Sequence, residues 1–98
     1  MSHARIGIYR LNGGDAAAHE VFRRAERGLL PLFRRHSGFI DYELVRSGDT
    51  LISVSNWRTL EHANASVLEA AAWVLENLGD EVVLIDNYVG KVALSSRE

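Results

Sequence analysis

Ser53, Ser55 and Trp57 alternate along Leu51 to Trp57 (LISVSNW), a segment whose β-branched and aromatic content reads as a strand, so two hydroxyls and an indole share one face. Small polar groups beside a large ring can line a pocket for a flat aromatic ligand, because the serines leave volume and Trp57 offers a stacking surface. The same set also suits packing inside a barrel. His62 follows shortly after, in the first turn of a helix, where it can reach a cleft between helix and sheet and serve as a general base. A half-exposed first-turn residue is the plainer alternative. Tyr9 and Tyr42 carry hydroxyls able to bond a substrate phenol or carbonyl, although strand tyrosines are also routine packing residues, and Trp73 can bury one edge in a core or a subunit contact.

Other chemistries lack their residues. His3, His19, His36 and His62 are scattered over a terminus, two helices and a loop with no HxxxH or HxH spacing, so no metal site is expected. With no cysteine, thiolate catalysis and disulfides are excluded, and the chain reads as cytoplasmic. Gly13-Gly14 belongs to neither GxGxxG nor a GK[ST] loop, so no nucleotide cofactor is implied, and no GxSxG elbow occurs. Arg23, Arg24, Arg27, Arg34 and Arg35 form a basic helix side, but Glu20 pairs with them at helical spacing and the net charge is -2. Nucleic acid is therefore not an expected partner. The longest helical apolar run, Ala70 to Leu75, is far short of the ~20 residues that a bilayer requires.

The elements that must position these residues follow from periodicity. Ala4 to Leu11 reads as strand one, ended by Asn12-Gly13-Gly14, with Asp15 as a candidate cap for helix one. Val21, Phe22, Ala25, Leu29, Leu32 and Phe33 share that helix's inner stripe, and Gly28 and Pro31 predict a kink or break. Phe39 to Arg46 and Leu51 to Trp57 form a β-hairpin through Ser47-Gly48-Asp49-Thr50. Thr59 caps helix two, Glu61 suits its first turn and Gly79 stops it. Val82 to Leu94 reads as a long final strand with a bulge at Gly90. No composition shift divides the 98 residues, so residues 1–98 are expected to form a single domain.

Two features point beyond a monomer. Apolar side chains occupy both alternating sets of the strands, Ile6 and Ile8 on one and Tyr9 and Leu11 on the other, so the sheet's second face should pack against something. At about 3.3 Å per residue the last strand would reach roughly 40 Å against about 25 Å for strand one, and its surplus could pair with another subunit.

The stretch Ser37-Gly38-Phe39-Ile40-Asp41-Tyr42-Glu43, then Ile52 to Glu61 (ISVSNWRTLE), Trp73-Val74 and Val89-Gly90-Lys91-Val92 resembles the antibiotic-biosynthesis monooxygenase-like family of dimeric α/β barrels. Gly38-Phe39 opening strand two and Trp57 closing strand three carry most of the likeness. The resemblance implies an α+β, ferredoxin-like β-α-β-β-α-β protomer with an antiparallel sheet, and a homodimer whose two sheets face each other. Some members of the family are cofactor-independent oxygenases acting on polycyclic phenols or quinols, so the resemblance also implies a monooxygenase acting on a hydroxylated aromatic or quinol; for that chemistry the residues already placed supply the candidates, His62 as base and Tyr42, Ser53, Ser55 and Trp57 around the substrate. A non-catalytic, ligand-binding or stress-related dimer of the same fold is the alternative. The family's haem-degrading branch carries an Asn on strand one and a Trp followed by a His in helix two. Here Asn12 stands only at the strand's exit and no His follows Trp73, so haem degradation is not expected.

Overall fold

The computed structural model describes residues 2–96. Four strands, β1 (His3–Leu11), β2 (Phe39–Ser47), β3 (Thr50–Trp57) and β4 (Val82–Lys91), form one antiparallel sheet in the order β2-β3-β1-β4. Between β1 and β2 run α1 (Gly14–Arg24), a π-helical turn (Ala25–Leu29) and α2 (Leu30–Arg34), while α3 (Leu60–Leu78) joins β3 to β4. This is the β-α-β-β-α-β, ferredoxin-like arrangement expected from the sequence.

The expected irregularity near Pro31 takes a definite form. Proline has no N–H for the carbonyl four residues back, and the chain widens into the π turn before Pro31 enters the first turn of α2, where an N–H has no helical partner to lose. Gly28 lies within that turn against Trp73 of α3, and a Cβ there would come 2.6 Å from the indole Cζ2. The π turn and the indole thus share one close contact between the two helical layers.

Local signals act largely as read. Thr59 is the N-cap of α3, its Oγ1 accepting from the His62 N–H at 3.1 Å, and Gly48 turns the β2–β3 hairpin with a left-handed φ of 59°. Helix one differs from expectation. It starts at Gly14, because Gly13 adopts φ 104° and swings the chain directly from β1 into the helix; Asp15 then sits inside the first turn and pairs with Arg46 Nη1 at 2.9 Å instead of capping.

The last strand also departs from the expected Val82 to Leu94. It is ten residues long, pairs with β1 from Leu11 to His3, and has its irregularity opposite Ile8/Tyr9, leaving Ile85 as the extra residue, not Gly90. Val92 still donates to the Ser2 carbonyl at 2.9 Å. Strand one is longer at its N-terminal end than the sequence suggested, so β4 has a partner along its whole length within the chain. No surplus remains to be exchanged by strand length alone.

Helices cover one face of the sheet. Arg5, Gly7, Tyr9 and Leu11 of β1 and Leu51, Ser53, Ser55 and Trp57 of β3 point into that layer and are buried. Ile6, Ile8, Ile52 and Val54 point the other way and are partly exposed, with Val45 and Tyr88 beside them more so. Both sets carry large apolar side chains, as the two-sided strands implied, although the inward one also holds Arg5, Ser53 and Ser55.

Candidate functional site

The layer between sheet and helices has two ends. At one, Trp57 is 0% exposed and meets Phe33, Phe39 and His36 edge-on, with ring centroids 5.3, 5.4 and 5.6 Å away. Its Nε1 donates to Ser55 Oγ at 2.8 Å, so the indole and that serine satisfy each other. His62 lies at the same end: its Nδ1 is 2.7 Å from Thr59 Oγ1, and its ring rests on Gly38 so closely that any Cβ there would collide. His36 Nε2 is 2.7 Å from Glu69 Oε2, with the two imidazole centroids 6.4 Å apart. Among the described residues no three His, Asp or Glu side chains are grouped so as to hold a metal ion.

At the other end the packing leaves space. A half-open apolar slot lies beneath α1 and α3, walled by Val21, Leu51, Val74, Leu78 and Val82, with Tyr9, Tyr42 and Ser53 also among its lining residues. A water centre can roam ≈ 20 Å³ of it, room for about one water. Two open grooves share its walls: one of ≈ 360 Å³ between α3 and β4, reaching Tyr9, Val74 and Val82, and one of ≈ 200 Å³ between α1 and β2, reaching Ala25, Tyr42 and Leu44. An apolar slot with a few convergent polar groups is the usual form of a small-molecule site.

The polar groups form a short network. Ser53 Oγ donates to Tyr42 Oη at 3.4 Å, and Arg5 Nη2 donates to Tyr9 Oη at 3.1 Å while its Nε donates to Asn87 Oδ1 at 2.7 Å. Burial pushes the Tyr42 hydroxyl above the usual phenol range, the Ser53 hydrogen bond pulls it partly back, and the fields of Tyr9 and Arg5 also act on it. Tyr42 therefore stands as a neutral donor at neutral pH.

Of the residues singled out from the sequence, Tyr42 and Ser53 line the cavity; Ser55, Trp57 and His62 stand together at the packed end and line none of the three spaces. Arg5, Gly7 and Asn87 escaped notice. The signal was there in β1, where alternation puts a charged residue on the same face as Tyr9 and Leu11 with a glycine between them.

Solved structures share this architecture from end to end. SnoaB of Streptomyces nogalater, a cofactor-independent oxygenase, superposes with a TM-score of 0.69 at 15% identity, covering 99% of this chain and 98% of that one. A monooxygenase from the gene ActVA-Orf6 of Streptomyces coelicolor, solved with nanaomycin D, gives 0.69 at 17% identity over 96% and 93%. This is the fold of the antibiotic-biosynthesis monooxygenases. An uncharacterized NIPSNAP-like domain protein from Burkholderia xenovorans has it too, with a TM-score of 0.64 at 19% identity over 96% of this chain and 88% of that one. No protein-family model matches the sequence, and no curated protein sequence does. Among the described residues no helix is long and apolar enough to cross a membrane.

Proposed function

We propose that this chain is a single-domain, cytoplasmic homodimer that oxidises a hydroxylated aromatic or quinol with molecular oxygen, without metal, flavin or other cofactor. The observation that carries the reading is the apolar slot lined by Tyr9 and Tyr42, in a fold that SnoaB and the ActVA-Orf6 monooxygenase also have. An electron-rich phenolate can react with oxygen directly. One oxygen atom enters the substrate carbon, the other leaves as water with the two hydrogens displaced, and the substrate supplies all the electrons. The protein's part is to exclude water and place donors against the anion.

In this proposal Tyr9, Tyr42 and Ser53 face the substrate, while Ser55 and Trp57 hold the layer together at its other end. His62, the base suggested by the sequence, is assigned a capping role beside Thr59, and His62→Ala is expected to leave turnover within about twofold, an effect too small for lost general-base catalysis. A flat polycyclic ligand needs more room than the inner cavity has. The flanking grooves supply it if the Tyr42 and Leu44 side chains rotate, which joins the α1–β2 groove to the interior.

The dimer is supported by the uncovered sheet face and by β4, an edge strand with Val83, Leu84, Ile85 and Tyr88 exposed. Such an edge, without Lys or Pro before Lys91, invites pairing or cover. Light scattering at micromolar concentration tests it: twice the chain mass is expected, and a compact monomer would refute it.

Aerobic oxygen uptake on a panel of quinols and polycyclic phenols, with no added cofactor, tests the reaction. Turnover is the expected result. Binding without uptake across the panel would leave the second reading, a non-catalytic ligand-binding dimer, which the lack of a matched catalytic set among the slot's residues favours.

A further inference from the structure

Arg5 is 1% exposed, yet none of the ion pairs among the described residues involves it. A guanidinium keeps its charge in a protein interior, and an uncompensated buried charge is strongly unfavourable. Its two hydrogen-bond partners, Asn87 Oδ1 and Tyr9 Oη, are neutral, and the one ring beneath its guanidinium, that of Tyr9 at 5.8 Å, carries no counter-charge. The chain nevertheless makes space for it: the head group lies over Gly7, where a Cβ would come 2.8 Å from the guanidinium carbon and nitrogens. A side chain at position 7 would evict it.

The guanidinium sits one hydrogen bond behind the cavity wall. Because Tyr9 Oη already accepts from Arg5, the Tyr9 proton remains available to donate elsewhere, and Tyr42, accepting from Ser53, is in the same condition. Two tyrosines whose hydroxyls each have a proton to spare thus line one small apolar space, and a buried positive charge stands behind one of them. We infer that this end of the layer binds its ligand as an oxyanion, an aromatic carboxylate or an acidic phenolate, received by the Tyr9 hydroxyl with Arg5 as the positioning residue behind it. The inference deepens the proposed function by naming the ionised form of the substrate class, and it rests on the cavity being the binding site.

Calorimetric titration of the intact protein at neutral pH decides the matter. 2-Naphthoate is compared with its neutral isostere 2-naphthamide, and 4-nitro-1-naphthol, ionised at neutral pH, is compared with 1-naphthol to separate a carboxylate from a phenolate source. At least one anion should bind about tenfold or more tightly than its neutral counterpart, the scale of one hydrogen bond to a charged partner. Tyr9→Phe and Arg5→Gln should bring that ratio close to one, and Arg5→Lys should restore part of it, which a purely structural arginine would not do. Equal affinities for anion and neutral analogue, no binding by any of the four, or a ratio unchanged in Tyr9→Phe would overturn the inference. Should Arg5→Gln fail to fold, the wild-type ratio and Tyr9→Phe still decide. Oxygen uptake is read separately: anion preference without uptake removes the oxygenase and leaves the oxyanion site, whereas uptake without preference does the reverse.

Discussion

The two ends of the layer between sheet and helices use aromatic residues in opposite ways. Around Trp57 three rings pack edge-on, its indole N–H is satisfied by a neighbouring serine, and Trp57 lines none of the three spaces described above. Around Tyr9 and Tyr42 the rings leave a gap, their hydroxyls keep protons to donate, and a buried cation stands behind them. Filled space makes stability and unfilled space with unspent donors makes a site.

That contrast can be broken by mutation, and the largest effect belongs to the packed end. Trp57→Ala should lower the unfolding free energy by about 3–5 kcal/mol, measured by urea melts, because the surrounding rings collapse only partly into the void. A loss below about 1 kcal/mol would show that the packed end is not the keystone. Gly28→Ala comes next. Its methyl group would press on the Trp73 indole, and overpacking of about 1–3 kcal/mol should outweigh the roughly 1 kcal/mol that alanine gains over glycine in a helix. Thr59→Ala should cost about 1 kcal/mol through the lost cap, and it also frees the His62 ring.

The smallest change in stability is expected at the open end. Tyr42→Phe should alter the unfolding free energy from urea melts at neutral pH by less than about 1 kcal/mol, since it removes one long hydrogen bond and no ring. Its signature lies at alkaline pH. Burial holds the Tyr42 proton to higher pH in the folded protein than in the unfolded chain, so this contribution is complete below the usual phenol range and is lost as pH rises through the folded value. Wild-type stability should thus fall above about pH 10, and more steeply than in Tyr42→Phe. Some slope remains in the variant, because Tyr88, beside the Asp86 carboxylate, is shifted in the same direction at an exposed position. Identical alkaline slopes would remove Tyr42 from the buried network.

Much of the architecture was legible in the sequence because local signals agree with one another. Thr59 before a periodic stretch, Gly48 in the hairpin and the alternation of Ser53, Ser55 and Trp57 each specify a geometry that the fold adopts. What misled were features decided by distant partners. Asp15 looks like a cap until Gly13 takes the turn and Arg46 takes the carboxylate, and the end of β4 depends on how far β1 runs beside it. For the candidate site, faces were legible and surroundings were not. Tyr42 and Ser53 could be placed on inward faces, but whether an inward residue meets a void or another ring depends on helices folded over it from elsewhere in the chain. His62 and Trp57 met rings and a glycine; Tyr42 met the Phe33 ring on one side and a gap on another.

Which end receives a ligand is the central question, and amide chemical-shift mapping with 2-naphthoate answers it most directly. The account predicts saturable shifts centred on Tyr9, Tyr42, Ser53 and Val74, with the amides of Trp57 and His62 almost unmoved. Saturable shifts centred on Trp57, His36 and His62, with Tyr9 and Tyr42 silent, would contradict it.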